Sequence, residues 1–184
     1  MEYNFDKLVF FDVESTGFKE NRIVSIGLLY YEDGKRIAKK NIIINPNTQI
    51  EYSASKVNGF TNDMVENEPT FDEIWPKIKQ YFENTTWIGH NVKYDNGCIL
   101  GELTRYGLKI PVHKLICTCD NAKLLIPKTE IKNYKLDTVA QHFGINFTEE
   151  QHHDAFFDTI ACMKIFNKLV DLSDGDLIVK ETEV

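Results

Sequence analysis

Long apolar runs are missing from this sequence: no window of its 184 residues approaches the roughly 20 residues that a helix needs to cross a bilayer, which excludes a helical membrane span. The start, Met1 to Asp6, lacks the basic residue and apolar stretch of a secretory signal, so no export and a cytoplasmic location are expected. Cysteine is sparse, and Cys98, Cys117, Cys119 and Cys162 lack the spacing of a disulfide framework, so reduced thiols are expected. Cys117-Thr118-Cys119 falls one residue short of a zinc-type pair and has no second pair to complete it. Positive charge is in deficit: a net charge of -7 excludes indiscriminate wrapping of nucleic acid by a broadly basic surface. It leaves open a carboxylate-rich site that recruits magnesium, with any phosphate-holding charge kept local. Internal repeats are absent, and the length suits one domain, residues 1–172, followed by a tail over 173–184 that is acidic, polar and expected to fray.

What is present begins at Lys7 to Gly17. Four strand-forming residues, Leu8 to Phe11, run straight into Asp12 and Glu14, and a Ser15-Thr16-Gly17 turn follows. Strand side chains alternate faces, so the two carboxylates project from one side near a strand end. Such a pair is commonly just solvated. Where it is buried, a divalent cation between the carboxylates offsets their repulsion.

The chain then reads as an antiparallel meander, with strands near 22–31 and 37–44 joined at Asp33-Gly34. Residues 53–59 read as a loop with short helical turns, and Thr70 with Glu73 forms a capping box opening a helix to about Phe82, with Pro76 inside it. Strands near 86–89 and 112–117 alternate with helices over about 94–106, 120–125, 136–143 and 155–172. An α/β domain with a mixed sheet follows.

Two carboxylates sit on helix faces that should be apolar. Asp158 shares the stripe of Ala161, Ile165, Leu169 and Leu172, and Asp95 shares that of Ile99, Leu103 and Tyr106. A salt bridge would explain the first, and the helix dipole favours a first-turn carboxylate at the second. Asp154 is placed to cap the last helix, which leaves His153 on the loop outside it, with the intrinsic pKa of a general base.

Taken together, Asp12, Glu14, Asp95, Asp158 and His153 form a pattern. The chain resembles the DEDDh group of 3'-to-5' exonucleases in the ribonuclease H-like superfamily. Phe11 to Gly17 looks like the first motif, His90-Asn91-Val92-Lys93-Tyr94-Asp95 like the second with Tyr94 in place of the usual Phe, and His153 to Thr159 like the third. The likeness spans about Lys7 to Leu172. Asn58 stands where a histidine is common, and Cys117-Thr118-Cys119 where an Asp-Thr pair is common; both bear on substrate preference more than on chemistry.

The resemblance implies a ribonuclease H-like five-stranded sheet, three strands antiparallel and then parallel ones, flanked by helices. It implies phosphodiester hydrolysis with two magnesium or manganese ions about 3.5 to 4 Å apart. Asp12 would bridge both ions, Glu14 and Asp158 would complete the shell of the ion that holds the attacking water, and Asp95 would serve the other. His153 would take the water's proton. Substrate contacts are expected from the Ser15-Thr16-Gly17 turn and from Asn91. Between Arg105 and Lys135 lie seven basic residues against two acidic, an excess that, with Tyr134, either guides a single strand or is an ordinary solvated surface.

The expected partner is single-stranded nucleic acid, DNA ahead of RNA, with no membrane; a polymerase or other replication partner in trans and action alone both stay open. The alternatives are an exoribonuclease trimming short RNA and a catalytically silent nucleic-acid-binding module.

Overall fold

The computed structural model describes residues 6–17, 19–146 and 154–181. Its centre is strand β1 (Lys7–Ser15), in which Leu8 to Phe11 are all buried. On one side β1 pairs antiparallel with β2 (Ile23–Glu32), which turns at Asp33–Gly34 into β3 (Lys35–Ile43). On the other side β4 (Thr85–Gly89) lies parallel to β1, and β5 (His113–Cys117) lies parallel to β4. The expected five-stranded mixed sheet is therefore present. A sixth strand, β6 (Lys180–Glu181), adds two residues antiparallel to β5, giving the order β3-β2-β1-β4-β5-β6.

Seven α-helices occur among the described residues: α1 (Tyr52–Asn58), α2 (Asn62–Val65), α3 (Phe71–Ile78), α4 (Lys93–Arg105), α5 (Thr118–Leu125), α6 (Leu136–His142) and α7 (Ala155–Leu172). Local signals set several of their ends. Thr70 N–H donates to Glu73 Oε2 at 2.9 Å before α3, and Pro76 sits inside that helix just ahead of its passage into a 3-10 turn at Lys79–Tyr81. Asp154 caps α7 through Oδ1, which accepts from the Phe156 and Phe157 amides.

The two faces of β1 serve two cores. Val9, Phe11 and Val13 pack with Trp87, with Phe71 and Trp75 of α3, and with Ile99 and Leu103 of α4. Leu8 and Phe10 pack with Ile116, Ala122 of α5, Val139 of α6, and Ile165 and Phe166 of α7. The alternation has a direct consequence: Asp12 and Glu14 continue the parity of Leu8 and Phe10, so they extend the α7 face beyond its apolar part.

The fraying expected of the last residues does not hold for 177–181. Leu177 is 2% exposed and belongs to the α7-side core, and the Ile178 amide donates to Asn121 Oδ1 at 2.8 Å. Within an acidic, polar stretch, Leu177 is buried and Lys180 and Glu181 pair with Leu115 and Lys114 at the edge of β5.

Candidate active site

Three of the expected carboxylates converge. One ligand oxygen each from Asp12, Glu14 and Asp158 lie within 4.8 Å of one another, all half-buried. The first two stand on one side of β1 by strand alternation, and Asp158 comes from the first turn of α7. What lets α7 come so close is Gly27, which pairs with Asp12 across β1 and β2. A methyl group at Gly27 would overlap the Ala155 carbonyl and come within 2.5 Å of Phe156 Cα. Thr159, fully buried, fastens the contact: its hydroxyl lies 3.1 Å from the Gly27 carbonyl and 2.6 Å from that of Ala155.

Asp95 arrives differently. It is 3% exposed at the start of α4, the helix on the opposite face of the sheet, and its Oδ1 accepts the Val13 amide at 3.1 Å. It therefore stands outside the three-oxygen group while touching the strand that carries it. Its charge is still felt, because after desolvation Asp95 is the largest influence raising the Asp12 carboxyl well above the usual range, followed by Asp158 and Glu14. Burial, with Asp158 next and Asn58 opposing, pushes Glu14 up to about 8. Burial raises Asp95 too, partly offset by the Val13 amide.

These shifts share a physical meaning. The fold gathers more carboxylates than the partly buried site can hold as bare anions, and the donors are all oxygen. That set fits a hard divalent cation such as magnesium or manganese. His153, the expected proton acceptor, lies outside the described residues; it directly precedes Asp154, the α7 cap.

Beside the carboxylates is a pocket of about 240 Å³ lined by Glu14, Ser15, Gly17, Val57, Asn58 and Tyr94, among others. Ser15 Oγ and Tyr94 Oη are 2.7 Å apart, Tyr94 Oη donates to Asn21 Oδ1 at 3.0 Å, and Asn58 Nδ2 donates to the Ser15 carbonyl at 3.0 Å. Thr16 turns inward. Its amide donates to the Arg22 carbonyl, its hydroxyl accepts the Arg22 amide and its carbonyl accepts the Glu51 amide, so it holds the turn instead of offering donors to a ligand. Gly17, at φ 126°, packs against the Glu51 side chain where a Cβ would lie within 2.6 Å of Oε1. Asn91 is exposed and lines a different groove, described below.

Sequence reading missed Gly27 altogether, and it placed Thr159, Asn58 and Tyr94 in or beside the motifs without assigning them a part in the site. A glycine inside an otherwise apolar strand was the available signal for Gly27, since it marks close backbone approach. Nothing in one dimension pairs Ser15 with Tyr94, 79 residues apart.

Comparison with known proteins agrees with this geometry. A family model described as an exonuclease matches residues 9–166. DNA polymerase III subunit epsilon of Treponema pallidum is 31% identical over 162 residues, covering 87% of this chain and 74% of that protein. The PolC-type DNA polymerase III of Clostridium perfringens is 35% identical over 164 residues, but the chain spans only 11% of its length. Among solved structures, the nuclease domain of 3'hExo, described as a DEDDh family member bound to rAMP, superposes with a TM-score of 0.76 over 100% of both chains at 17% identity. Exonuclease X in complex with 5' overhanging duplex DNA gives 0.68 at 19% identity, covering 92% of this chain and 95% of that one. Among the described residues, no helix is long and apolar enough to cross a membrane.

Proposed function

The chain belongs to the exonuclease family, and on that premise we propose that it is a 3'-to-5' enzyme of the DEDDh type that removes nucleoside monophosphates from the 3' end of single-stranded or frayed DNA with two divalent ions. The observation that carries the reading is the convergence of Asp12, Glu14 and Asp158 within 4.8 Å beside a pocket of about 240 Å³. Asp12, Glu14 and Asp158 would hold magnesium or manganese, with Asp95 at the edge of the same site. When bound, such ions acidify water and neutralise charge at the phosphorus and on the leaving oxygen.

The chain's own groups do the rest. The carboxylates left bare would repel a phosphodiester, so the phosphate is admitted only when their charge is balanced. Ser15, Asn58 and Tyr94 form the polar wall against which the terminal nucleotide is held, and their mutual hydrogen bonds fix that wall before substrate arrives. His153 takes the proton of the attacking water. The polymerase III relatives support DNA as the polymer. On the same reading the chain works in the cytoplasm together with a polymerase.

The test uses end-labelled DNA and RNA strands of matched sequence, with magnesium or with a chelator, beside Asp12→Ala and His153→Ala. Stepwise shortening of DNA from the 3' end is expected, abolished by Asp12→Ala and by the chelator, and lowered roughly 100-fold or more by His153→Ala while ion binding persists. Activity that survives the chelator or Asp12→Ala would sink the ion-dependent mechanism. RNA shortened faster than DNA would move the substrate to RNA.

A further inference from the structure

We propose that a lysine-lined groove along the carboxyl ends of the parallel strands binds the phosphates of a single nucleic-acid strand upstream of the 3' end. The inference rests on the nuclease reading for its choice of polymer.

The groove has a volume of about 760 Å³, and its walls carry Asn91, Lys123, Lys128, Lys132 and Lys135. Lys128 to Lys135 belong to a stretch between α5 and α6 that has no helix or strand of its own. Tyr134 pins this stretch from three directions. Its hydroxyl donates to the Ile126 carbonyl at 2.8 Å, and its own carbonyl receives contacts from His90 Nε2 at 2.9 Å and Cys119 Sγ at 3.3 Å. The lysines are thus held on a fixed frame. Tyr134 itself packs among core residues, so the groove works by charge and not by stacking on that ring.

Strand register relates the groove to the carboxylates. Phe10 pairs with Ile88 and Ile88 with Ile116, and Asp12, His90 and Thr118 each follow two residues later along their segments. β5, whose end leads into α5 of the groove, lies two strand spacings, roughly 10 Å, from β1, and β4, which ends just before His90, lies between them. His90 ties the frame of the groove to the end of β5, because its Nδ1 lies 2.9 Å from Thr118 Oγ1 while its Nε2 lies 2.9 Å from the Tyr134 carbonyl oxygen.

Charge selects the occupant. In a chain of net charge -7, lysines concentrated beside a carboxylate site can neutralise a polyanion only locally, and a strand whose 3' end reaches Asp12 carries its next phosphates toward them. Lys123, which also pairs with Asp120 at 3.3 Å, is the least available of the four. Lys128 and Lys132 are exposed.

The decisive comparison is between the 184-residue chain and its Lys128→Gln/Lys132→Gln variant on two probes. Hydrolysis of thymidine 5'-p-nitrophenyl phosphate, which is confined to the carboxylates and the adjoining nucleotide pocket, should be unchanged within about twofold. Binding of a fluorescent 12-nucleotide oligothymidylate, read in an Asp12→Asn background, should weaken roughly tenfold at low salt. The slope of log affinity against log salt should become shallower by about 1.4, at about 0.7 per phosphate contact on a single strand. Unchanged affinity and slope would overturn the groove. Equal displacement of the strand by polyglutamate would overturn its assignment to nucleic acid. If the parent chain fails to hydrolyse the small ester while the variant still loses strand binding, the nuclease reading fails and the groove stands.

Discussion

Glu102 lies two turns beyond Asp95 on α4 and is 1% exposed, yet it coordinates protein donors only. Arg22 Nε and Nη2 donate to its two oxygens at 2.7 and 3.2 Å, the Ile23 amide donates to Oε1 at 3.2 Å, and Arg105 approaches at 3.3 Å. Two carboxylates on one helix face therefore have separate tasks, decided by their neighbours. Asp95 has its pKa raised by burial first and by Asp158 less, whereas Glu102 stands among cations and acts as a structural tie. Because Arg22 also exchanges hydrogen bonds with Thr16, the tie reaches the turn after β1. Removing it with Glu102→Ala strands a buried guanidinium and an amide, and should cost about 3 to 5 kcal/mol in denaturant unfolding. Glu102→Gln, which retains an acceptor, should cost less. A loss under 1 kcal/mol for the alanine variant would show that water or the Tyr106 hydroxyl, which already accepts from Arg22 Nη2 at 3.1 Å, takes over the role.

At the scale of elements, the site depends on how closely α7 approaches β2. The sequence shows that α7 exists, where it starts and that Asp158 faces the core; Asp154 is its cap, as the spacing predicts. The depth of its seat is a matter of the missing Cβ at Gly27. Gly27→Ala would force the α7 backbone outward, with the 1 to 3 kcal/mol usual for an overpacked contact, and would carry Asp158 away from Asp12. Reduced unfolding free energy together with a higher magnesium requirement for activity is the expected result. Loss of stability with an unchanged magnesium requirement would show that Asp158 keeps its place. Residues 173–181 teach the complementary lesson. Composition marks them as a tail, while a single buried leucine and two ladder residues give them a place on the sheet edge.

For the whole molecule, gathering carboxylates makes stability depend on pH and on cations. Glu14 has an ordinary value near 4.5 and is raised to about 8 in the folded chain, so the native state holds the extra proton. The sign follows: its favourable contribution is complete below about 4.5 and is lost as pH rises toward 8, and Asp12, raised in the same direction, adds to the trend. Thermal unfolding of the metal-free protein should therefore show a falling Tm between pH 5 and 8. Magnesium should raise Tm more at pH 8 than at pH 5, because it binds the deprotonated site of the native state. A Tm that rises over this range without metal would contradict the burial of these groups. By itself the sequence determined the elements, the parity that sets Asp12 and Glu14 on one side of a strand, and the caps, because each of these depends on residues only a few positions apart. Only the tertiary structure decided that Asp158 joins them while Asp95 reaches the strand from the opposite face. It alone decided that Thr16 turns inward and that the lysines of residues 128–135 share a groove with Asn91. Those outcomes rest on contacts between residues tens of positions apart, such as Gly27 with Ala155 and His90 with Tyr134, whose closeness is a property of packing and not of order along the chain.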